Sequence, residues 1–270
     1  MDVDGNDDIK IGICTIAFKE RSLAEIAATA AKWGFDGIEV WGRAGHTEYP
    51  PNLDEHASFR NTVEDLGLSI PVFSSYLNPA SPNWDESVGN DLAITSALGS
   101  AMIRVWAGDS GSATADGVLW DMCIGSLREF SKRAQGRGVR VCVERHSNTL
   151  TDETEAAFRL IEEIDHPNLG LNWQGPYGQE RIETADDLDR LAAITTHVHA
   201  QTVVAYPNKP GDRIVRTTLR EGVIDWPLVI SKLSEVSYTG WIMVEFVADK
   251  EPDAAAADDC HYLHECLATA

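Results

Sequence analysis

Lysine is scarce in this chain. Seven lysines and 15 arginines stand against 43 acidic residues, for a formal net charge of −21 over 270 residues. Such a surface repels phosphate backbones, since nucleic-acid affinity comes largely from cationic neutralisation of phosphates. It repels anionic membranes for the same reason, so neither nucleic acid nor membrane is expected as a partner. Concentrated salt would screen the self-repulsion, which fits a halophilic setting. Long apolar runs are missing too: nothing approaches the ~18 residues that span a bilayer. The start, Met1 to Asp8, is acidic and lacks the basic and apolar regions of a secretory signal. Five cysteines lie far apart with no CxxC pair. Their odd number argues against a disulfide framework and for a reducing, cytoplasmic location. No GxGxxG follows an early strand, so a dinucleotide-binding open sheet has little support.

What is present is alternation. Short β-branched runs recur at Ile9–Cys14, Gly37–Val40, Leu68–Phe73, Ala101–Trp106, Val139–Val143, Leu169–Trp173, His197–Gln201 and Trp241–Phe246. Between them, apolar residues recur at helical spacing. In the first such stretch Ser22 and Glu25 form a capping-box pattern and Gly34 marks a stop. Further helices are expected over Leu53–Leu66, Asp85–Leu98, Leu119–Arg137, Thr154–Ile164, Ala185–Ile194 and Trp226–Val236, with a terminal one over residues 257–270. About eight strand–helix units without a composition break predict an α/β protein, a single (β/α)8 TIM barrel over residues 1–270 with residues 1–8 flexible. The stretch from Val203 to Gly222 is the longest without periodicity.

Parallel barrels carry their reactive residues at the carboxyl ends of the strands. Strand five ends in Glu144, followed by Arg145 and His146; strand six ends in Asn172-Trp173-Gln174; strand seven carries His197 and His199; strand eight ends in Glu245. Carboxylates, an amide and an imidazole thus meet on one rim, a donor set suited to Mn²⁺, Mg²⁺, Co²⁺ or Zn²⁺. His197 shares a strand face with His199 by the period of two, and reads equally as a hydrogen-bonded core histidine.

The order of these segments resembles a known family. Val141-Cys142-Val143-Glu144-Arg145-His146, His166-Pro167-Asn168-Leu169-Gly170-Leu171-Asn172-Trp173, His197-Val198-His199 and Glu221-Gly222-Val223-Ile224-Asp225-Trp226, continuing to Tyr238-Thr239-Gly240 and Val244-Glu245, are similar to motifs of sugar phosphate isomerase/epimerase-like proteins in the xylose isomerase-like superfamily. With Gly34-Phe35-Asp36-Gly37-Ile38-Glu39, the resemblance spans nearly the whole chain. It implies a metal shell of Glu144, Gln174, His199 and Glu245. Two positions depart from the pattern: Gln174 replaces a common aspartate and Tyr177 a common histidine. With His199 neutral, the shell would offset less of the ion's charge, giving weaker binding and a stronger Lewis acid.

The resemblance implies isomerisation or epimerisation of a small carbohydrate substrate, with Glu144 and Glu245 moving protons through an enediolate and His146 assisting. Elimination from a keto acid or keto-glycoside is the second reading; a sugar- or metal-binding barrel inactivated at Gln174 is the third. The superfamily also resembles abasic-site endonucleases, a role that the −21 charge disfavours. Arg104 could approach a substrate oxygen or make a structural salt bridge. Trp41, Trp106, Trp173 and Tyr177 are candidate pocket walls. Lys209, Arg213 and Arg216 could bind an anion or be ordinary surface charge. A homo-oligomer is possible.

Overall fold

The fold is given by a computed structural model that describes residues 9–176, 181–205 and 215–270. The segment 1–8, Tyr177, Lys209 and Arg213 lie outside the described residues. The strands are β1 (Lys10–Cys14), β2 (Gly37–Trp41), β3 (Val72–Ser74), β4 (Met102–Val105), β5 (Arg140–Glu144), β6 (Leu169–Trp173), β7 (Thr195–Ala200), β8 (Val203–Ala205), β9 (Val215–Arg216) and β10 (Trp241–Val244). All except β8 and β9 pair in parallel and close into a barrel in the order β1-β10-β7-β6-β5-β4-β3-β2. The small antiparallel pair β8–β9 follows β7 within the stretch that lacks periodicity.

Helices α1 (Leu23–Trp33), α2 (Leu53–Asp65), α3 (Trp84–Ala97), α4 (Gly117–Gln135), α5 (Thr154–Ile164), α6 (Arg181–Leu191), α7 (Trp226–Glu235) and α8 (Pro252–Leu267) alternate with the barrel strands. Their ends follow local chemistry. Ser22 and Glu25 form the expected reciprocal cap on α1, and Gly34 closes it at φ 88°. Asp116 and Asp225 accept from Leu119 and Leu228 to start α4 and α7.

Several boundaries differ from the sequence reading, two of them for a clear local reason. The terminal helix begins at Pro252, not at residue 257. Proline suits the first helical turn, and the alanines after it carry no periodicity to read. Strand three shrinks to Val72–Ser74 because Pro71 has no N–H for the ladder; Ser69 keeps only an isolated bridge to Gly37. Gly37 is needed there, since a Cβ would come 2.7 Å from both the Ser69 carbonyl and the Trp241 ring.

Period-two alternation divides each strand between the barrel lumen and the helical layer. Ile38, Ile103, Val141, Val143, Leu171, Val198 and Ile242 are buried within the apolar core. The opposite parity at the carboxyl ends, Glu39, Arg104, Glu144, Asn172, His197, His199 and Glu245, is also buried but polar. Burying so many charged groups costs heavily unless they pair. The barrel mouth is where they do so.

Candidate metal centre at the barrel mouth

Glu144 closes β5, and its buried carboxylate meets Arg104 from β4, with Nε 2.8 Å from Oε2. Ser74 on β3 accepts from the same Nε at 2.9 Å. Glu245 follows β10, and its Oε1 lies 3.6 Å from His199 Nδ1. Glu144, His199 and Glu245 each offer one donor atom, all within 4.8 Å of one another. Three of the four residues expected to hold a metal are therefore brought together.

The fourth, Gln174, is present but turned. Its amide oxygen accepts from Gln201 Nε2 at 2.9 Å, while its own NH₂ reaches 3.5 Å toward Glu144 Oε1. In this orientation it holds Glu144 and directs no oxygen at the centre.

Glu39 is the residue that the sequence reading left out of the site. It stands on β2, across the lumen from β7, and is fully buried. Its Oε2 accepts from His197 Nε2 at 2.7 Å and its Oε1 from His199 Nε2 at 2.9 Å. Burial pushes the Glu39 carboxyl up, but the two histidines outweigh it and hold it well below the ordinary range. Burial depresses His197, and the neighbouring Glu39 does not overcome that. His199 also feels burial, yet Glu39 and Glu245 together raise it to about 9. With no ion bound, the two carboxylates favour the protonated form of His199; the neutral form expected of a ligand belongs to the ion-bound shell. Burial, reinforced by Glu144, pushes Glu245 up to about 7.

The donor set fits a divalent ion. Three buried carboxylates (Glu39, Glu144, Glu245) against the Arg104 guanidinium leave two negative charges, which one divalent cation balances once the histidines are neutral. Buried Glu245 Oε2 has no hydrogen-bond donor among the described residues, and Glu144 Oε2 meets the Arg104 guanidinium.

Around this centre, Tyr76 is a second unanticipated residue. Its hydroxyl accepts from Trp41 Nε1 at 2.9 Å, and its ring stacks on Trp106 with centroids 5.7 Å apart. Trp106 in turn packs on His146 at 4.6 Å. Trp41, Trp106 and His146 therefore form one aromatic wall, and the Arg104 guanidinium lies 5.0 Å from the Tyr76 centroid. His146 Nδ1 lies 2.8 Å from the Ser147 carbonyl, which can only accept, so Nδ1 carries a proton. Arg216, offered as an anion contact, sits over the Phe246 ring at 3.9 Å. A cavity of about 1140 Å³, lined in part by Tyr76, lies between the loops after β2 and β3.

Trp173 does not belong to that wall. It is fully buried, its indole N–H donates to Asp187 on α6 at 2.7 Å, and its ring packs on Trp226. Asn172 points into the lumen, 3.2 Å from His199 Nδ1, so alternation turns Trp173 outward.

The architecture is a parallel TIM barrel with a carboxylate–histidine cluster at its C-terminal mouth that could hold a metal ion. The family model for the xylose isomerase-like TIM barrel matches residues 27–266, and the chain belongs to that family. It is 26% identical over 248 residues to a 3-dehydroshikimate dehydratase of Bacillus anthracis, covering 85% of this chain and 89% of the relative. Two solved structures share the fold. A xylose isomerase-like protein from Mycobacterium smegmatis in complex with magnesium superposes with TM-score 0.75 at 16% identity, covering 97% of each chain. An L-ribulose 3-epimerase superposes with TM-score 0.74 at 16% identity, covering 97% of this chain and 95% of the other. Among the described residues, no helix is long and apolar enough to cross a membrane.

Proposed function

We propose that this protein is a divalent-metal-dependent lyase that removes water from a small polyhydroxylated keto compound, by taking the proton next to its carbonyl. Glu144, His199 and Glu245 would hold the ion, Mn²⁺, Mg²⁺, Co²⁺ or Zn²⁺ by donor type. Such an ion, when bound, supplies Lewis acidity that makes a C–H beside a carbonyl more acidic.

One observation carries the choice of elimination: the two carboxylates are not equivalent. Arg104 pairs with Glu144 and fixes it in place, whereas Glu245 Oε2 is buried without a donor. Epimerisation through an enediolate asks for two competent bases on opposite faces. A single poised carboxylate suits a relay on one face. Glu245 takes the carbon-bound proton, and the C–H pair becomes the new double bond as the neighbouring C–O bond breaks. The oxygen then leaves as water with the proton that Glu245 returns, which restores the carboxylate. His146 Nε2 accepts a hydrogen bond from a substrate hydroxyl, and the unpartnered Arg104 Nη1 donates to a substrate oxygen.

The similarity to a dehydratase over most of the chain supports this reading. Isomerisation or epimerisation, the first reading of the sequence, is the alternative here, favoured by the approach of Glu144 and Glu245 to one point. Incubation with Mn²⁺ and a panel of cyclic keto acids and ketoses, followed by mass spectrometry, separates the two. A product lighter by one water, absent with Glu245→Gln, supports elimination; a product of equal mass overturns it in favour of isomerisation.

A further inference from the structure

We infer that Glu39 is a positioning residue that decides which nitrogen of His199 faces the ion, an inference that rests on the metal-centre reading above. A neutral imidazole has one lone pair, and a partner on one nitrogen dictates which nitrogen is left to ligate. Both carboxylate oxygens of Glu39 are occupied from β7: His197 Nε2 lies 2.7 Å from Oε2 and His199 Nε2 lies 2.9 Å from Oε1. Carboxylate oxygens accept, so both histidines present Nε2–H to Glu39. Once neutral, as a ligand must be, His199 is left with its Nδ1 lone pair, on the side where Glu245 Oε1 lies 3.6 Å away. Glu39, His197 and His199 are all fully buried, so water cannot replace the acceptor if it is lost.

The arrangement also explains the pair of histidines. His197 ties down the second oxygen of Glu39 and thereby fixes the carboxylate plane from which His199 takes its orientation. The sequence separation of 160 residues shows that this contact is made by barrel closure, not by local structure. A charged strut across the lumen is costly to bury, and an apolar pair would fill the same space more cheaply. Its use here is directional.

The substitution Glu39→Gln tests this with little change in shape. Its amide offers one oxygen to two N–H donors, and its NH₂ forces one imidazole to present a lone pair at Nε2. Mn²⁺ binding to wild type and variant is measured by calorimetry at fixed pH, with the unfolding midpoint recorded alongside. The expected result is a 10- to 100-fold weaker Kd in the variant, retained by a folded protein. A Kd within twofold of wild type overturns the inference. A second measurement needs no variant: ¹⁵N-histidine spectra of Zn²⁺-loaded wild type should place the His199 proton on Nε2, and a proton on Nδ1 overturns the inference even if Glu39→Gln does not fold. Absence of Mn²⁺ binding by wild type would instead strike down the metal centre itself, so the two failures are distinguishable.

Discussion

Arg104 and Glu144 form an ion pair at 2.8 Å with both side chains nearly sealed from solvent. The pair joins β4 to β5 and makes the two mouth carboxylates unequal. Breaking such a pair from one side strands a buried charge, which costs on the order of 3 kcal/mol. Arg104→Met should therefore lower the unfolding free energy of the metal-free protein by about that amount. Glu144 would then have only the ion to neutralise it, so saturating Mn²⁺ should restore more stability to the variant than to wild type. Denaturant melts with and without Mn²⁺ check this; equal metal-induced gains would refute the role given to the pair.

Gln174 directs its amide oxygen at Gln201. Replacing it with aspartate, Gln174→Asp, adds a negative donor at the rim and should tighten Mn²⁺ binding by roughly tenfold, on the same logic that ligand charge sets affinity. Calorimetry of the variant decides. Unchanged affinity would mean that this side chain never reaches the ion.

Asp259 on α8 accepts from the Leu219 amide at 2.6 Å through one oxygen, and its other oxygen has no donor among the described residues. Burial lifts it from the 3.8 of a free aspartate to about 7. A carboxyl whose folded pKa exceeds its unfolded value stabilises the fold while both states are protonated, and that contribution is lost as pH rises through the folded value. Wild-type stability should thus fall between pH 4 and pH 7 from this group. Asp259→Asn keeps the acceptor and removes the charge, so its melting temperature should depend less on pH and exceed wild type at pH 8. Parallel slopes for the two proteins would contradict the assignment.

Asp187 gathers Arg145, Thr154 Oγ1 at 2.6 Å and the Trp173 indole at 2.7 Å into a buried knot behind the site. Asp187→Ala leaves a buried guanidinium unpaired and should cost about 3 to 5 kcal/mol in a chemical melt. A loss below about 1 kcal/mol, the level of an exposed pair, would show that solvent reaches the knot.

Much of this was legible in the sequence. The barrel, the capping box at Ser22 and Glu25, and the placement of Glu144, His199 and Glu245 at strand ends follow from local periodicity and its parity. Trp173 was misread although the same parity applies: Asn172 and His199 meet in the lumen, so the residue between Asn172 and Gln174 must face the helices. Glu39 stayed hidden because it lies inside an apolar strand and its partners are 158 and 160 residues away. The signal was there in one form, since a carboxylate within a buried strand demands a partner. Which partner answers it is fixed only by closure of the barrel. Tyr76 lies beyond the end of a strand that Pro71 shortens, so no strand-end count could select it.

The most direct test is an anomalous difference map from crystals soaked in Mn²⁺. The account predicts one strong peak within coordination distance, about 2 to 2.3 Å, of Glu144, His199 Nδ1 and Glu245. A mouth without a peak at saturating Mn²⁺, or a peak bound only by surface carboxylates, would contradict it.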